Sequence, residues 1–139
     1  MDRIRRILTD CCTIAVLGAH RDSWKAACYV PDYLHSRGYR ILPVNPRFAG
    51  ELMWDERCVA SLIELRDPVD LVDVFRAPAQ LAAHEPEILA MTPRPEVVWL
   101  QLGIRDDAFA ARLAAAGIEV VQDRCTLADH RSLRLGPIA

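Results

Sequence analysis

TIAVLGAHRDSWKAACYVPDYLHSRGYRILPVNP, residues Thr13 to Pro46, is the stretch on which the reading of the fold turns. Thr13-Ile14-Ala15-Val16-Leu17 is an apolar, partly β-branched run, bounded by Gly18 and too short for a helix. That is the pattern of a strand buried on both faces. From Trp24 to Arg37 the apolar residues Ala27, Val30, Pro31 and Leu34 recur at helical steps, and Gly38 supplies a C-terminal stop. Ile41 to Val44 predicts a second strand, ended by the Asn45-Pro46 turn signal. Strand, glycine turn, helix and strand within roughly thirty residues make one right-handed βαβ unit. The loop after the first strand of such a unit aims backbone N–H groups and a helix N-terminus at its ligand, which suits phosphate.

The alternation continues downstream. Phe48 to Arg57 reads as a loop or short excursion, and Val59 to Leu65 as a short amphipathic segment without an assigned element. Val69 to Phe75 predicts a third strand. Pro78, at a helix N1 position, opens a helix to about Met91 that Pro86 should break or kink. After the Thr92–Pro95 loop, Glu96 to Leu100 predicts a fourth strand with an exit turn at Gln101-Leu102-Gly103. Arg105 to Ala116 is alanine-rich and helical, stopped by Gly117; Ile118 to Val121 is a fifth strand and Thr126 to Arg134 a final helix. The expectation is α/β: a doubly wound, mainly parallel five-stranded sheet with helices on both faces, one Rossmann-like domain over residues 1–139.

Composition bounds the function. The chain of 139 residues is 52% apolar and 26% charged, ordinary for a soluble domain with a real core. A net charge of −2 argues against nucleic acid or an anionic membrane surface as partner. No apolar run reaches the ~18 residues of a membrane span, and MDRIRRILTD lacks a secretory apolar region, so a cytoplasmic location is expected. Of the 17 basic residues only Lys25 is a lysine, and it falls in the glycine loop. The five cysteines (Cys11, Cys12, Cys28, Cys58, Cys125) show no CxxC or Cys/His spacing, and the four histidines no HExxH pairing, so no metal site is predicted. Most of the cysteines read as small buried apolar residues.

The glycine loop is not a dinucleotide fingerprint. That pattern needs GxGxxG and an acidic residue closing the second strand, whereas the loop reads GAHRDSWK and the strand ends PVNP. The Walker pattern GxxxxGK[ST] is absent too.

The segments VLGAHRDSWKAACYV, YLHSRGYRILPVNPR, PVDLVDVFRAP, VVWLQLGI and AAGIEVVQDRC, in this order and spacing, resemble the small stand-alone CoA-binding proteins. Those share the CoA-binding domain of the succinyl-CoA synthetase α-subunit. The resemblance covers residues 10 to 134. It implies coenzyme A as the ligand, lying across the C-terminal edge of the sheet with its phosphates near the first loop and its adenine near the turn after the second strand. Carried over by position, it implies that Gly18 and Ala19 let the backbone approach the diphosphate, beside His20. Arg21 and Lys25 would supply charge to phosphates, and Val44, Asn45 and Pro46 would line the adenine side. Phe75, Arg76 and Pro78 would approach from the switch point of the sheet, and Gln101 and Gly103 would lie beside the pantetheine arm. The loop departs from the usual family pattern at Trp24, near which small or proline residues commonly stand.

Each assignment has a structural alternative. Gly18 suits any tight turn, Arg21 and Lys25 any solvated surface, Asn45-Pro46 any strand stop. Asp70 and Asp73 fall on opposite faces of a strand, which disfavours a shared acid–base role. Cys125 follows the fifth strand and so lies near the binding edge, with His130 five residues on. No Ser/His/Asp or Cys/His/Asn signature is legible, and succinyl-CoA synthetase chemistry uses a phosphohistidine and an ATP-grasp partner from further domains. The leading expectation is a non-catalytic CoA- or acyl-CoA-binding or regulatory module, as a homodimer or in the company of a larger acyl-CoA enzyme. An NAD(P)- or nucleotide-dependent enzyme is the alternative, as is a regulatory subunit of a larger acyl-CoA enzyme.

Overall fold

The computed structural model describes residues 1–138. Its helices are α1 (Asp2–Asp10), α2 (Ala26–Ser36), α3 (Leu81–Ala90), α4 (Asp107–Ala115) and α5 (Thr126–Ser132). The strands are β1 (Thr13–Leu17), β2 (Arg40–Val44), β3 (Leu52–Met53), β4 (Glu56–Arg57), β5 (Leu71–Val74), β6 (Val97–Leu100) and β7 (Glu119–Val121). Five of these form one parallel sheet in the order β2-β1-β5-β6-β7, while β3 and β4 make a separate antiparallel hairpin. The chain is therefore an α/β, doubly wound, Rossmann-like sheet.

Side-chain alternation decides which helices cover which face. Ile14, Val16, Leu71, Val97 and Trp99 pack with Ile4, Ile7 and Leu8 of α1, Val30 and Leu34 of α2, and the apolar side of α5. Ala15, Leu17, Val72, Val74, Val98 and Leu100 pack with Leu81 and Ile88 of α3 and with Phe109 and Leu113 of α4. The strands β1, β5 and β6 are apolar at nearly every position because both faces are covered. Pro43, which cannot donate to a ladder, stands in β2 at the sheet edge, where its carbonyl accepts from Val59 N–H at 3.2 Å.

The order of the main strands reverses direction between β1 and β5. The first crossover runs outward to β2; the chain then returns to the far side of β1 and proceeds to β6 and β7. A crevice opens outside the C-terminal ends of strands at such a switch point. Here those ends are Gly18 and Phe75.

Several expectations are corrected. The helix α1 adds to the elements read from the sequence; Ile4, Ile7 and Leu8 give it a narrow apolar stripe, and Arg3 and Arg6 both bond Glu119 at the start of β7. The excursion after Pro46 contains a 3₁₀ turn (Pro46–Phe48) and the β3–β4 hairpin, and a second 3₁₀ turn over Leu62–Glu64 occupies the unassigned amphipathic segment. Pro78 opens a 3₁₀ turn (Pro78–Gln80), and α3 then runs through Pro86 without a break. Pro86 and Ala82, whose carbonyl loses its helical partner to the proline, are both exposed, so water can satisfy it. Among the described residues no helix is long and apolar enough to cross a membrane.

Candidate functional site

Gly18 ends β1 at φ 91°, a left-handed conformation that suits glycine. A Cβ there would stand 2.8 Å from the Phe75 carbonyl oxygen and 3.4 Å from Cδ of Arg76. The glycine therefore lets the ends of β1 and β5 approach each other, and Arg76 packs across it. Gly18 and Ala19 both donate their N–H groups to the Val44 carbonyl, at 2.9 and 3.3 Å, which ties the first loop to the end of β2. Asn45 completes the tie. Its Nδ2 donates to the Ala19 carbonyl at 2.8 Å, and its Oδ1 accepts from Arg47 N–H at 3.0 Å.

The loop is also fixed to α2, through a gap in that helix. Pro31 lies inside α2 and has no N–H to offer the carbonyl four residues back, that of Ala27. His20 N–H fills the gap, donating to the Ala27 carbonyl at 3.2 Å. His20 Nδ1 accepts from Asp22 N–H at 3.0 Å, and the ring meets Phe48 edge-on at 5.1 Å between centroids.

These ties frame a cleft of about 850 Å³ at the switch point, within the range of cofactor sites. Its walls include Gly18, His20 and Lys25 from the first loop, and Asn45 and Pro46 from the turn after β2. Phe75 and Arg76 come from the end of β5, and Gln101 from the end of β6. Eight of the sequence-derived site residues are thus brought together.

Five are placed elsewhere. Ala19 and Val44 are wholly buried and act as framework behind the wall. Arg21 turns away to the hairpin, where its Nη1 lies 3.1 Å from Glu51 Oε1 and donates to the Leu52 carbonyl at 3.2 Å. Pro78 is exposed beyond Ala77, and Gly103 donates its N–H to Asp123 Oδ1 at 2.7 Å, outside the cleft. The second cation, expected from Arg21, comes instead from Arg47, which lines the cleft above Phe48. Its position directly after Asn45-Pro46 is the signal for it in the sequence. Tyr29, Leu102, Ile104 and Cys125 complete the apolar side.

The charge in the cleft is basic, from Lys25, Arg47 and Arg76. Arg76 Nε is buried and has no hydrogen-bond partner among the described residues. Burial pushes the thiols of Cys28 and Cys58 up, and that of Cys11 to about 12, whereas Cys125 is partly exposed on the cleft wall. Among the described residues no group of three or more His, Cys, Asp or Glu is arranged to hold a metal ion.

The CoA binding domain, as a family model, matches residues 12–131. The chain belongs to that family. A relative from Bacillus subtilis (strain 168), the uncharacterized protein YneT, is 33% identical over 127 residues, 91% of either chain. Among proteins of known structure, one from Thermus thermophilus is 52% identical with a TM-score of 0.90, covering 95% of this chain and 97% of the other. The fold recurs within a far larger protein, a dinucleotide-forming acetyl-coenzyme A synthetase from Ca. Korarchaeum cryptofilum. That likeness has a TM-score of 0.69 at 20% identity, over 86% of this chain and 27% of the synthetase, and it speaks to fold alone.

Proposed function

We propose that the chain binds coenzyme A or an acyl-CoA along the switch-point cleft, as a binding or regulatory module without chemistry of its own. The observation that carries this reading is Arg76: it packs over Gly18 at the mouth of the crossover, and its buried Nε lacks a partner. An anionic ligand group at Gly18 would satisfy that donor, with Lys25 and Arg47 on the same cleft. The CoA diphosphate fits that place. The half-apolar wall of Tyr29, Leu102 and Ile104 then suits the uncharged arm of the ligand. Family membership supports the choice of CoA over other phosphate-bearing ligands.

The binding role is supported by what the polar side chains in the cleft already do. His20 is engaged with Asp22, Asn45 braces two loops, and Gln101 accepts from α5. Each is occupied in holding the walls in place.

Titration calorimetry with CoA, acetyl-CoA, NAD⁺ and ATP tests the proposal. Micromolar binding of the CoA species only, weakened in Arg76→Ala and Lys25→Ala, is the expected result. Binding of NAD⁺ or ATP with CoA silent would refute it.

A further inference from the structure

Asp73 lies in the middle of β5 and is completely buried. The flanking strands place Val16 and Trp99 beside it, so neither neighbouring strand offers it a charge. From α5 comes Thr126, whose Oγ1 lies 3.1 Å from Asp73 Oδ2 and also 3.1 Å from Gln101 Oε1. The other ionisable groups of α5 and its cap are engaged away from Asp73 or open to the cleft: Asp129 pairs with Arg124, His130 bonds Tyr33, Arg131 lies over the Tyr33 ring, and Cys125 lines the cleft.

Proton counting decides the state of this group. Thr126 N–H reaches the same Gln101 oxygen at 3.1 Å, and an N–H can only donate, so that atom is the carbonyl oxygen of the amide. The Thr126 hydroxyl has one proton and two oxygens to serve. With Asp73 ionised, one of the two contacts would join acceptors only. With Asp73 protonated, its O–H donates to Thr126 Oγ1 and the hydroxyl donates to Gln101 Oε1, and every contact is satisfied. The remaining Asp73 oxygen, Oδ1, has no partner, which a neutral carbonyl tolerates far better than a carboxylate. Burial itself pushes the Asp73 carboxyl well above its ordinary range, and the Thr126 bond only partly opposes this.

We propose that Asp73 is a neutral carboxylic acid and a positioning residue for the cleft. Through Thr126 it holds the oxygen of Gln101 inward, so that Gln101 presents only its NH2 group to the ligand. The wall at Gln101 is then donor-only, and it selects a ligand with an acceptor at that point, such as an amide or thioester carbonyl. The ligand half of this inference rests on the CoA reading; the hydrogen-bond chain does not.

The test uses the full chain as wild type, Asp73→Asn, Thr126→Ser and Thr126→Val, each checked for folding by thermal melting. Asparagine keeps a donor toward Thr126, serine keeps the hydroxyl, and valine keeps only the shape. NMR without ligand is expected to show a protonated Asp73 carboxyl at neutral pH and a well-dispersed Gln101 side-chain NH2. That NH2 signal should survive in Asp73→Asn and Thr126→Ser and shift part of the way toward the free value in Thr126→Val, where the backbone N–H of residue 126 still reaches the Gln101 oxygen but the hydroxyl no longer does. CoA affinity, by calorimetry, should stay near wild type in the first two and fall about fivefold in the third, the worth of one hydrogen bond. An ionised Asp73, or a Thr126→Val protein with unchanged Gln101 signals, would overturn the inference. If the NMR results hold while wild type ignores CoA, the binding reading falls and the chain of hydrogen bonds stands.

Discussion

Gly18→Ala should be the most damaging single methyl that can be added to the cleft. Two costs combine. At φ 91° a residue with a Cβ is strained by about 1–3 kcal/mol. The added Cβ would also meet the Phe75 backbone oxygen at 2.8 Å, a contact that only movement of a strand end can relieve. Overpacking of that kind adds about 1–3 kcal/mol, and the stiffer unfolded chain returns about 0.4–1. The net is about 1–6 kcal/mol, centred near 3. At about 2.1 cal/mol/K of unfolding entropy per residue, the 139 residues lose about 3.4 °C of Tm per kcal/mol, giving a fall of about 10 °C at the centre of that range. Gly117→Ala separates the two costs: its φ is 88°, but a Cβ there meets nothing within 4 Å, so only the strain remains. Differential scanning calorimetry of both variants is the assay. If Gly18→Ala melts no lower than Gly117→Ala, the close approach of β1 and β5 through Gly18 is refuted.

Three further predictions concern the loop, the thiols and pH. Pro31→Ala should strengthen α2 yet loosen the ligand loop, because a new N–H would compete with His20 for the Ala27 carbonyl; Tm unchanged or higher with weaker CoA binding is expected, and tighter binding would contradict it. Iodoacetamide should modify only Cys12 and Cys125, since Cys11, Cys28 and Cys58 are buried with raised thiols; saturating CoA should shield Cys125 and leave Cys12 as reactive as before, as peptide mapping would read. Burial, and then the Arg37 charge, hold His130 below its ordinary 6.5, so its contribution to stability is present above that pH and lost as pH falls below it. Denaturant midpoints taken downward from pH ~7.5 should decline less steeply in His130→Asn than in wild type, and equal slopes would dismiss the assignment.

Much of this architecture is legible in the chain. The apolar runs Thr13–Leu17 and Val97–Leu100 announce strands covered on both faces, and a glycine after the first of them announces a ligand loop. What periodicity does not carry is the partner of each element. Nothing local says that β5 rather than β6 lies beside β1, and that neighbour relation is what places Phe75 and Arg76 at Gly18. The same limit explains Arg21. Its type and spacing suit a phosphate, but Glu51, thirty positions on, sits within reach and takes its charge. Alternation puts Asp70 and Asp73 on opposite faces, and each is engaged separately. Asp70 accepts the Cys12 and Thr13 N–H groups ahead of β1, while Asp73 meets Thr126 from the far end of the chain. A polar residue in a buried strand is visible in sequence; its partner is not. The spacing of Ile4, Ile7 and Leu8 is a helical signal in the sequence, whereas the docking of α1 through Arg3 and Arg6 on Glu119 of β7 is not.

The most direct measurement is an amide NMR titration of the full chain with CoA. Saturable shifts concentrated at Gly18, His20, Arg76, Gln101 and Cys125 are the predicted result, with the groove lined by Leu65, Val69 and Thr92 ahead of β5 unmoved. Shifts confined to that groove, or a spectrum indifferent to millimolar CoA, would contradict the assignment of the switch-point cleft as a CoA site.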